Sequence, residues 1–265
     1  MTDAQPHSWV ATARAGELNA GEVEVWRLDL RQPRRVIDLI FQQLSGAEQV
    51  RAERFRQASD YAAYVLTRGV LRQLLSAYFA RADRVVSPEA IELIRGPHGK
   101  PRVADADAVS ALEFSVSHAG DYALLGFGRS GALGVDLERV ETRRDVDLIV
   151  AHHFAPVEAA AMLEVGASFS EDAKFRLFYR YWTRKEAYIK ALGAGMAVDL
   201  QSFAVGLGPG APMAWSARAD AARWRFFAMN PDAAHIGALC VLKGVDYLRT
   251  MTATVSNSAS VQLDL

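Results

Sequence analysis

A single cysteine, Cys240, occurs in 265 residues. No disulfide can form within the chain, which suits a reducing compartment. Charge of one sign is equally scarce: 30 Lys and Arg against 31 Asp and Glu leave a net charge of −1. That balance creates no field favouring nucleic acid or an anionic membrane. Long hydrophobic runs are missing too. The most apolar stretches, such as VIDLIFQQL at 36–44, fall well short of the roughly 20 residues of a membrane helix. The first 18 residues lack the basic start and apolar run of a secretory signal, so a cytoplasmic protein is expected. There is no short solenoid repeat. No G-x-G-x-x-G after a strand and no G-x-x-x-x-G-K-[ST] occurs, which removes two phosphate-loop classes. No G-x-S-x-G elbow supports a serine hydrolase. His152 and His153 have no zinc spacing with other ligands.

What is present is a globular composition, 51% hydrophobic and 23% charged, with enough apolar residues for a real core. Near-alternation of Val23, Val25 and Leu28 marks a strand over 21–30. Residues 46–80 have helical spacing, with Ser59-Asp60 as a break or cap. Gly-Pro and Gly-Lys-Pro make 94–103 a turn. Three strands follow over 112–140, with a loop at Ser117–Asp121 and a turn at Gly128–Gly131. Residues 145–165 read as helical. Ser168 and Glu171 have capping-box spacing before a helix to about Leu192, stopped by Gly193 and Gly195. SFAVGL, WRFFAM and IGALCVL read as strands of a second sheet, and a late strand and frayed end follow Thr250. The class is α+β, in two halves that each set a long helix against a few strands. The halves are 1–128 and 129–250, with a tail at 251–265. The strand 132–138 lies near the join, where pockets commonly form.

Four stretches could carry chemistry. In GVDLERV, 134–140, Asp136 and Glu138 share one strand face. Such a pair is either a solvated face or half of a Mg²⁺ site, because Mg²⁺ takes one or two carboxylates plus substrate phosphates. In FYRYWTRKEAYIKALGAG, 178–195, a helix aligns Phe178, Tyr181, Trp182, Ile189 and Leu192 in one stripe. Glu186 and Lys190 are an i,i+4 pair, worth only about 0.2–0.5 kcal/mol on a surface. Lys185 falls inside the apolar stripe and needs either a snorkelling route or an anionic partner. Ser117-His118 in SVSHAG suits phosphate contact better than a catalytic triad. GPHGKPRV, 96–103, is either a mobile turn or backbone close to a ligand with Lys100 on a phosphate.

Taken in order, Gly-Lys-Pro, Ser-His, Gly-Val-Asp-x-Glu and Trp-x-x-Lys-Glu-Ala-x-x-Lys resemble the 4′-phosphopantetheinyl transferases, specifically the two-lobed surfactin type. The resemblance runs from about Glu48 to Phe203. It implies a pseudo-twofold pair of similar α+β subdomains in a monomer. It also implies transfer of phosphopantetheine from coenzyme A to a serine of an apo acyl or peptidyl carrier protein, releasing 3′,5′-ADP. Asp136, Glu138 and Glu186 would hold Mg²⁺, or Mn²⁺ in its place. Asp136, Glu186 and Lys190 would carry the catalysis, with Glu186 or a water beside it taking the serine proton and Lys190 steadying the departing phosphate. Lys185, Lys190, Ser117 and His118 would contact the coenzyme A phosphates, and Gly99, Lys100 and Pro101 the adenine and 3′-phosphate end. Arg51 and Arg54 match basic residues that grip the 3′-phosphate; Glu48, Ala62 and Ala63 depart from that pattern, while Arg68 lies one turn on. Carriers of this kind tend to be acidic, so Arg139, Arg143 and Arg144 are either docking residues or a solvated loop. Two other readings stand beside this one: a Mg²⁺-dependent hydrolase of a nucleotide diphosphate, and a non-catalytic module binding coenzyme A or a carrier.

Overall fold

Alternation along strand β1 (Glu22–Asp29) divides its side chains between two cores. Trp26 and Leu28 enter one, Val23 and Val25 the other. The structure, a computed structural model, describes residues 9, 18–104, 112–129, 131–142, 145–168, 170–216, 221–245 and 247–261. Its elements are β1, α1 (Arg34–Phe41), α2 (Gly46–Ala52), α3 (Ala58–Ala80), β2 (Leu93–Arg95), β3 (Pro101–Val103), β4 (Glu113–Ala119), β5 (Tyr122–Gly128), β6 (Leu133–Arg139), α4 (Val146–His153), α5 (Pro156–Ser168), α6 (Glu171–Leu192), β7 (Phe203–Val205), β8 (Ala211–Ser216), β9 (Trp224–Ala228), β10 (His235–Leu242) and β11 (Tyr247–Ala253). Among the described residues no helix is long and apolar enough to cross a membrane.

The first sheet has the order β11-β1-β5-β4 and the second β6-β10-β9-β8-β7. Pairing is antiparallel except between β1 and β11, which run parallel. Each sheet carries one long helix. On the first, α3 packs Leu66, Val70 and Leu74 against a core with Trp26, Leu125 and Phe127. On the second, α6 sets Phe178, Tyr188 and Ala191 against Phe203, Phe226 and Cys240. The remaining faces form a third core, Val23, Val25 and Leu124 from one sheet with Val135, Leu137 and Leu239 from the other. The α+β class expected from the sequence is the class observed.

Local chemistry explains several departures from the sequence reading. The helical stretch breaks at residues 53–57, not at Ser59-Asp60, which both lie in the first turn of α3. A capping box forms at Ser45 and Glu48, where the Glu48 carboxylate accepts the Ser45 N–H at 3.0 Å. Ser168 is the last residue of α5 and does not stand at the N-cap of α6; Ser170 caps that helix by accepting the Ala173 N–H at 3.3 Å. Gly193, at φ +61°, ends α6 in the left-handed conformation. Ser117 and His118 belong to β4 and not to a loop. The late strand begins at Tyr247 and joins the first sheet, so a boundary at 250 falls inside it. The Arg249 guanidinium, 2.6 Å from the fully buried Glu24 carboxylate, ties that strand to β1.

The face of β6 that carries Asp136 also carries Gly134, while Val135 and Leu137 point into the third core. A Cβ on Gly134 would stand 2.0 Å from the Ala187 carbonyl oxygen and 2.5 Å from the Ala191 nitrogen, both backbone atoms of α6. Glycine here lets α6 lie directly on β6. Gly134→Ala should therefore lower the unfolding free energy by about 1–3 kcal/mol or more, measured by urea denaturation. Unchanged stability would show that α6 has room to move off the strand.

Candidate active site

Where α6 crosses β6, a cleft of about 850 Å³ opens, within the range of small-molecule sites. Asp136 and Glu138 enter it from β6, and Trp182, Glu186, Ile189 and Lys190 from α6. Its other walls come from His98, Gly99, Lys100 and Pro101 of the β2–β3 hairpin, from Ser115 and Val116 of β4, and from Val198, Asp199 and Leu200. The hairpin turn closes through a Gly96 N–H to Lys100 carbonyl bond of 2.9 Å, with Gly99 at φ +87°. The sequence reading assigned Gly99, Lys100, Pro101, Asp136, Glu138, Glu186 and Lys190 to one site, and the fold brings all seven to this cleft.

Charges at its centre are partly balanced. Lys190 Nζ donates to Asp136 Oδ1 at 2.6 Å and to Ser117 Oγ at 2.9 Å. Ser117 Oγ donates to the same Asp136 oxygen at 3.0 Å. Asp136 is 4% exposed, and its Oδ2 is buried with no hydrogen-bond partner. Burial first, and the Asp136 charge second, raise Glu186 above the ordinary carboxylate range; Lys190 opposes them. An orphaned carboxylate oxygen beside a second carboxylate under repulsion is a donor set suited to a hard cation. Among the described residues, no three His, Cys, Asp or Glu side chains are grouped so as to hold a metal ion by themselves. A cation fits here as one that keeps outside ligands, as Mg²⁺ does with waters and phosphates.

Lys185 is a correction. The family motif would send it to a phosphate, but its side chain is fully buried on the far side of α6. Its ammonium sits 2.8 Å from Glu158 and donates at 2.7 Å to the carbonyls of Leu200 and of Phe203. The Phe203 ring lies 4.3 Å below it. Glu158 is matched as fully: Oε2 also accepts the Ala155 N–H and Oε1 the Val205 N–H, each at 2.9 Å. Burial pushes both groups toward neutrality, Glu158 up and Lys185 down, and each is the main force opposing the shift in the other. Of the two options for a lysine in an apolar stripe, the anionic partner is the one realised.

The remaining assignments lie outside the cleft. Ser117 is buried beneath it, and His118 is exposed on the opposite face of β4; neither lines the walls. Desolvation of its ring first, then the Lys190 charge, holds His118 below the usual histidine range. Arg51 and Arg54 are exposed, on α2 and just beyond it, with the Arg51 guanidinium 5.3 Å over the Tyr64 ring. Glu48 is not a substitute phosphate ligand, since Arg72 at 2.6 Å and Arg68 at 3.4 Å hold it. Arg143 and Arg144 lie outside the described residues.

With this geometry in place, two sequence models divide the chain. One, described as 4′-phosphopantetheinyl transferase, N-terminal, matches residues 32–127; the other, the 4′-phosphopantetheinyl transferase superfamily, matches 132–240. The chain is also 31% identical over 235 residues to the 4′-phosphopantetheinyl transferase HetI of Nostoc sp., covering 89% of this chain and 94% of that protein. This chain belongs to the 4′-phosphopantetheinyl transferase superfamily. A phosphopantetheinyl transferase of Thraustochytrium sp. is 33% identical over 166 residues, 60% of this chain and 55% of its own. The transferase psf-1 of Bacillus pumilus is 26% identical over 181 residues, 68% of this chain and 71% of its own. The protein is a 4′-phosphopantetheinyl transferase, and enzymes of this family act on carrier proteins.

Sequence reasoning missed Glu158, which lies 27 residues before Lys185 and was findable only as the anion that a buried lysine requires. It also missed that His152, His153 and Asp199 line the transferase's cleft; His153 meets Trp182 edge to face at 6.3 Å. No spacing in the sequence signals those three. Because Lys185→Met leaves Glu158 buried and unpaired, it should cost about 3–5 kcal/mol of stability, read by urea denaturation. The double variant Lys185→Met/Glu158→Gln should be the more stable of the two. A single variant as stable as the parent would contradict the buried pair.

Proposed function

We propose that the enzyme transfers the 4′-phosphopantetheine group from coenzyme A to a serine hydroxyl of an apo acyl or peptidyl carrier protein, releasing 3′,5′-ADP. The observation that carries this reading is the meeting of Asp136, Glu138, Glu186 and Lys190 in a cleft that also holds Gly99, Lys100 and Pro101. One end of that cleft suits a pyrophosphate and the other a nucleotide. In this reading the half up to residue 128 receives the adenine and 3′-phosphate, and the half over 129–250 performs the chemistry, in a cytoplasmic monomer.

Asp136, Glu138 and Glu186 would hold Mg²⁺ or Mn²⁺, which when bound supplies charge neutralisation at the pyrophosphate. The rest falls to the chain's own groups. Glu186, with its raised proton affinity, accepts the proton of the attacking serine, directly or through water. The serine oxygen bonds to the phosphorus bearing the pantetheine arm as the bond to the bridging oxygen breaks. Lys190 carries its charge to the oxygen that leaves with 3′,5′-ADP. The Gly99 turn offers backbone without a side chain at the nucleotide end, and Lys100 a cation.

Incubation with coenzyme A, Mg²⁺ and an apo carrier should add the phosphopantetheine mass to the carrier. Excess chelator should abolish the transfer. If 3′,5′-ADP forms equally fast without a carrier, the enzyme is a hydrolase. Glu186→Gln should lower turnover by about 10²–10⁴-fold, and parent-like activity of this variant would sink its role. Lys190→Ala should reduce turnover by about 10²–10³-fold while changing coenzyme A affinity far less. A large affinity loss at constant turnover would reassign Lys190 to binding.

A further inference from the structure

A separate two-stranded ribbon brings Gly99, Lys100 and Pro101 to the cleft. β2 and β3 form a sheet of their own, and such a ribbon by itself is marginal in water. Its place must come from what holds its base. Leu93 and Val103, opposite each other in the ribbon, rest partly buried on the first core. Apolar burial is non-directional, so this contact sets how deep the ribbon sits but not where it points. Direction comes from the segment just before β2, a single 3₁₀ turn at Pro88–Ala90. The last carbonyls of a helical turn have no partners within it, and here a side chain of α3 supplies them.

That side chain is Arg72. Its Nη1 donates to the Pro88 carbonyl at 2.7 Å and to the Ile91 carbonyl at 2.8 Å, with the Glu89 carbonyl at 3.4 Å. Its Nε donates to Glu48 Oε2 at 2.6 Å. The same Glu48 oxygen accepts the Ser45 N–H at the start of α2. One guanidinium thus joins α3, on which it stands, to α2 through Glu48 and to the base of the hairpin. A planar fork of fixed donors can do this, whereas a lysine has one nitrogen for the same partners. Arg72 is 1% exposed and lies outside the cleft, so a ligand arriving there meets none of these bonds.

We propose that Arg72 is a positioning residue for coenzyme A: its buried guanidinium seats the β2–β3 hairpin and α2 on α3, so that the two segments assigned to the nucleotide end stand in one fixed relation. This rests on the reading of Gly99, Lys100, Pro101, Arg51 and Arg54 as that end. The groups assigned to the chemistry, Asp136, Glu138, Glu186 and Lys190, stand on β6 and α6 and make no contact with Arg72. Loosening the seat therefore lowers the fraction of enzyme ready to bind, and saturating coenzyme A restores it by selecting the seated form.

The test compares the full-length parent with Arg72→Met and Arg72→Lys, by transfer kinetics with coenzyme A, Mg²⁺ and an apo carrier and by amide hydrogen exchange. Arg72→Met should raise the KM for coenzyme A by about 10–100-fold, as for a hairpin seated a tenth to a hundredth of the time, with kcat and the KM for the carrier little changed. Arg72→Lys keeps a cation for Glu48 and should fall between parent and Arg72→Met. The Gly96 and Ala104 amides, which close the hairpin at 2.9 Å each, should exchange faster in both variants, while the α6 amides do not. Saturating coenzyme A should restore their protection. Should Arg72→Met not fold, Arg72→Lys carries the test by the same KM and exchange readouts. A role in stability alone would remove active enzyme, so a lowered kcat at unchanged KM overturns the proposal. Equal exchange at Gly96 and Ala104 in parent and variants overturns it as well. If the parent transfers nothing from coenzyme A, the functional reading falls, and exchange at these two amides decides alone whether Arg72 seats the hairpin.

Discussion

The approach of α6 to β6 at Gly134 governs the rest of the site. A strand face bearing two carboxylates repels a helix that brings a third, and side chains of ordinary size would hold the two elements apart. At Gly134 the α6 backbone lies where a Cβ would stand. That contact brings Lys190 to 2.6 Å from Asp136 and sets Glu186 close enough for the Asp136 charge to raise its proton affinity. Charge held under mutual repulsion in a buried place is what a cation with phosphate ligands can relieve. The cores on either side supply the force that holds the arrangement together. Val135 and Leu137 draw β6 into the layer between the sheets, and Tyr188 and Ala191 draw α6 down on its other side.

Two lysines of one helix, five residues apart, show how far orientation outweighs motif. At about 100° per residue they lie on different faces of α6. Lys190 reaches the cleft, while Lys185 is enclosed by Phe154, Phe203 and Glu158. Its three hydrogen bonds tie α5 and the segment leading into β7 to α6. Leu200, whose carbonyl it holds, is also a wall of the cleft. A buried ion pair of this kind gains little stability over apolar packing; here it joins three segments around one ammonium group.

Ser117 and Glu48 carry the same lesson at positions where the family pattern puts a phosphate contact or a basic residue. Each is engaged by the fold: Ser117 by Leu137, Asp136 and Lys190, Glu48 by Ser45, Arg68 and Arg72. A polar side chain whose donors and acceptors are already matched loses about as much as it gains when a ligand arrives.

The sequence alone was enough for the α+β class, for β1, β4, β5, β6 and α6, and for Asp136, Glu138, Glu186 and Lys190 as one constellation. These follow from periodicities of 2 and 3.6 residues and from residue types in a fixed order, and such information is local to the chain. It could not say that the strand from Tyr247 returns to pair with β1, that Lys185 turns inward to Glu158, or that Ser117 spends its hydroxyl on β6 and Asp136. Those outcomes depend on which buried donor meets which acceptor across sheets and helices distant in sequence. A buried polar group is costly until it is paired, and only the folded chain decides with what.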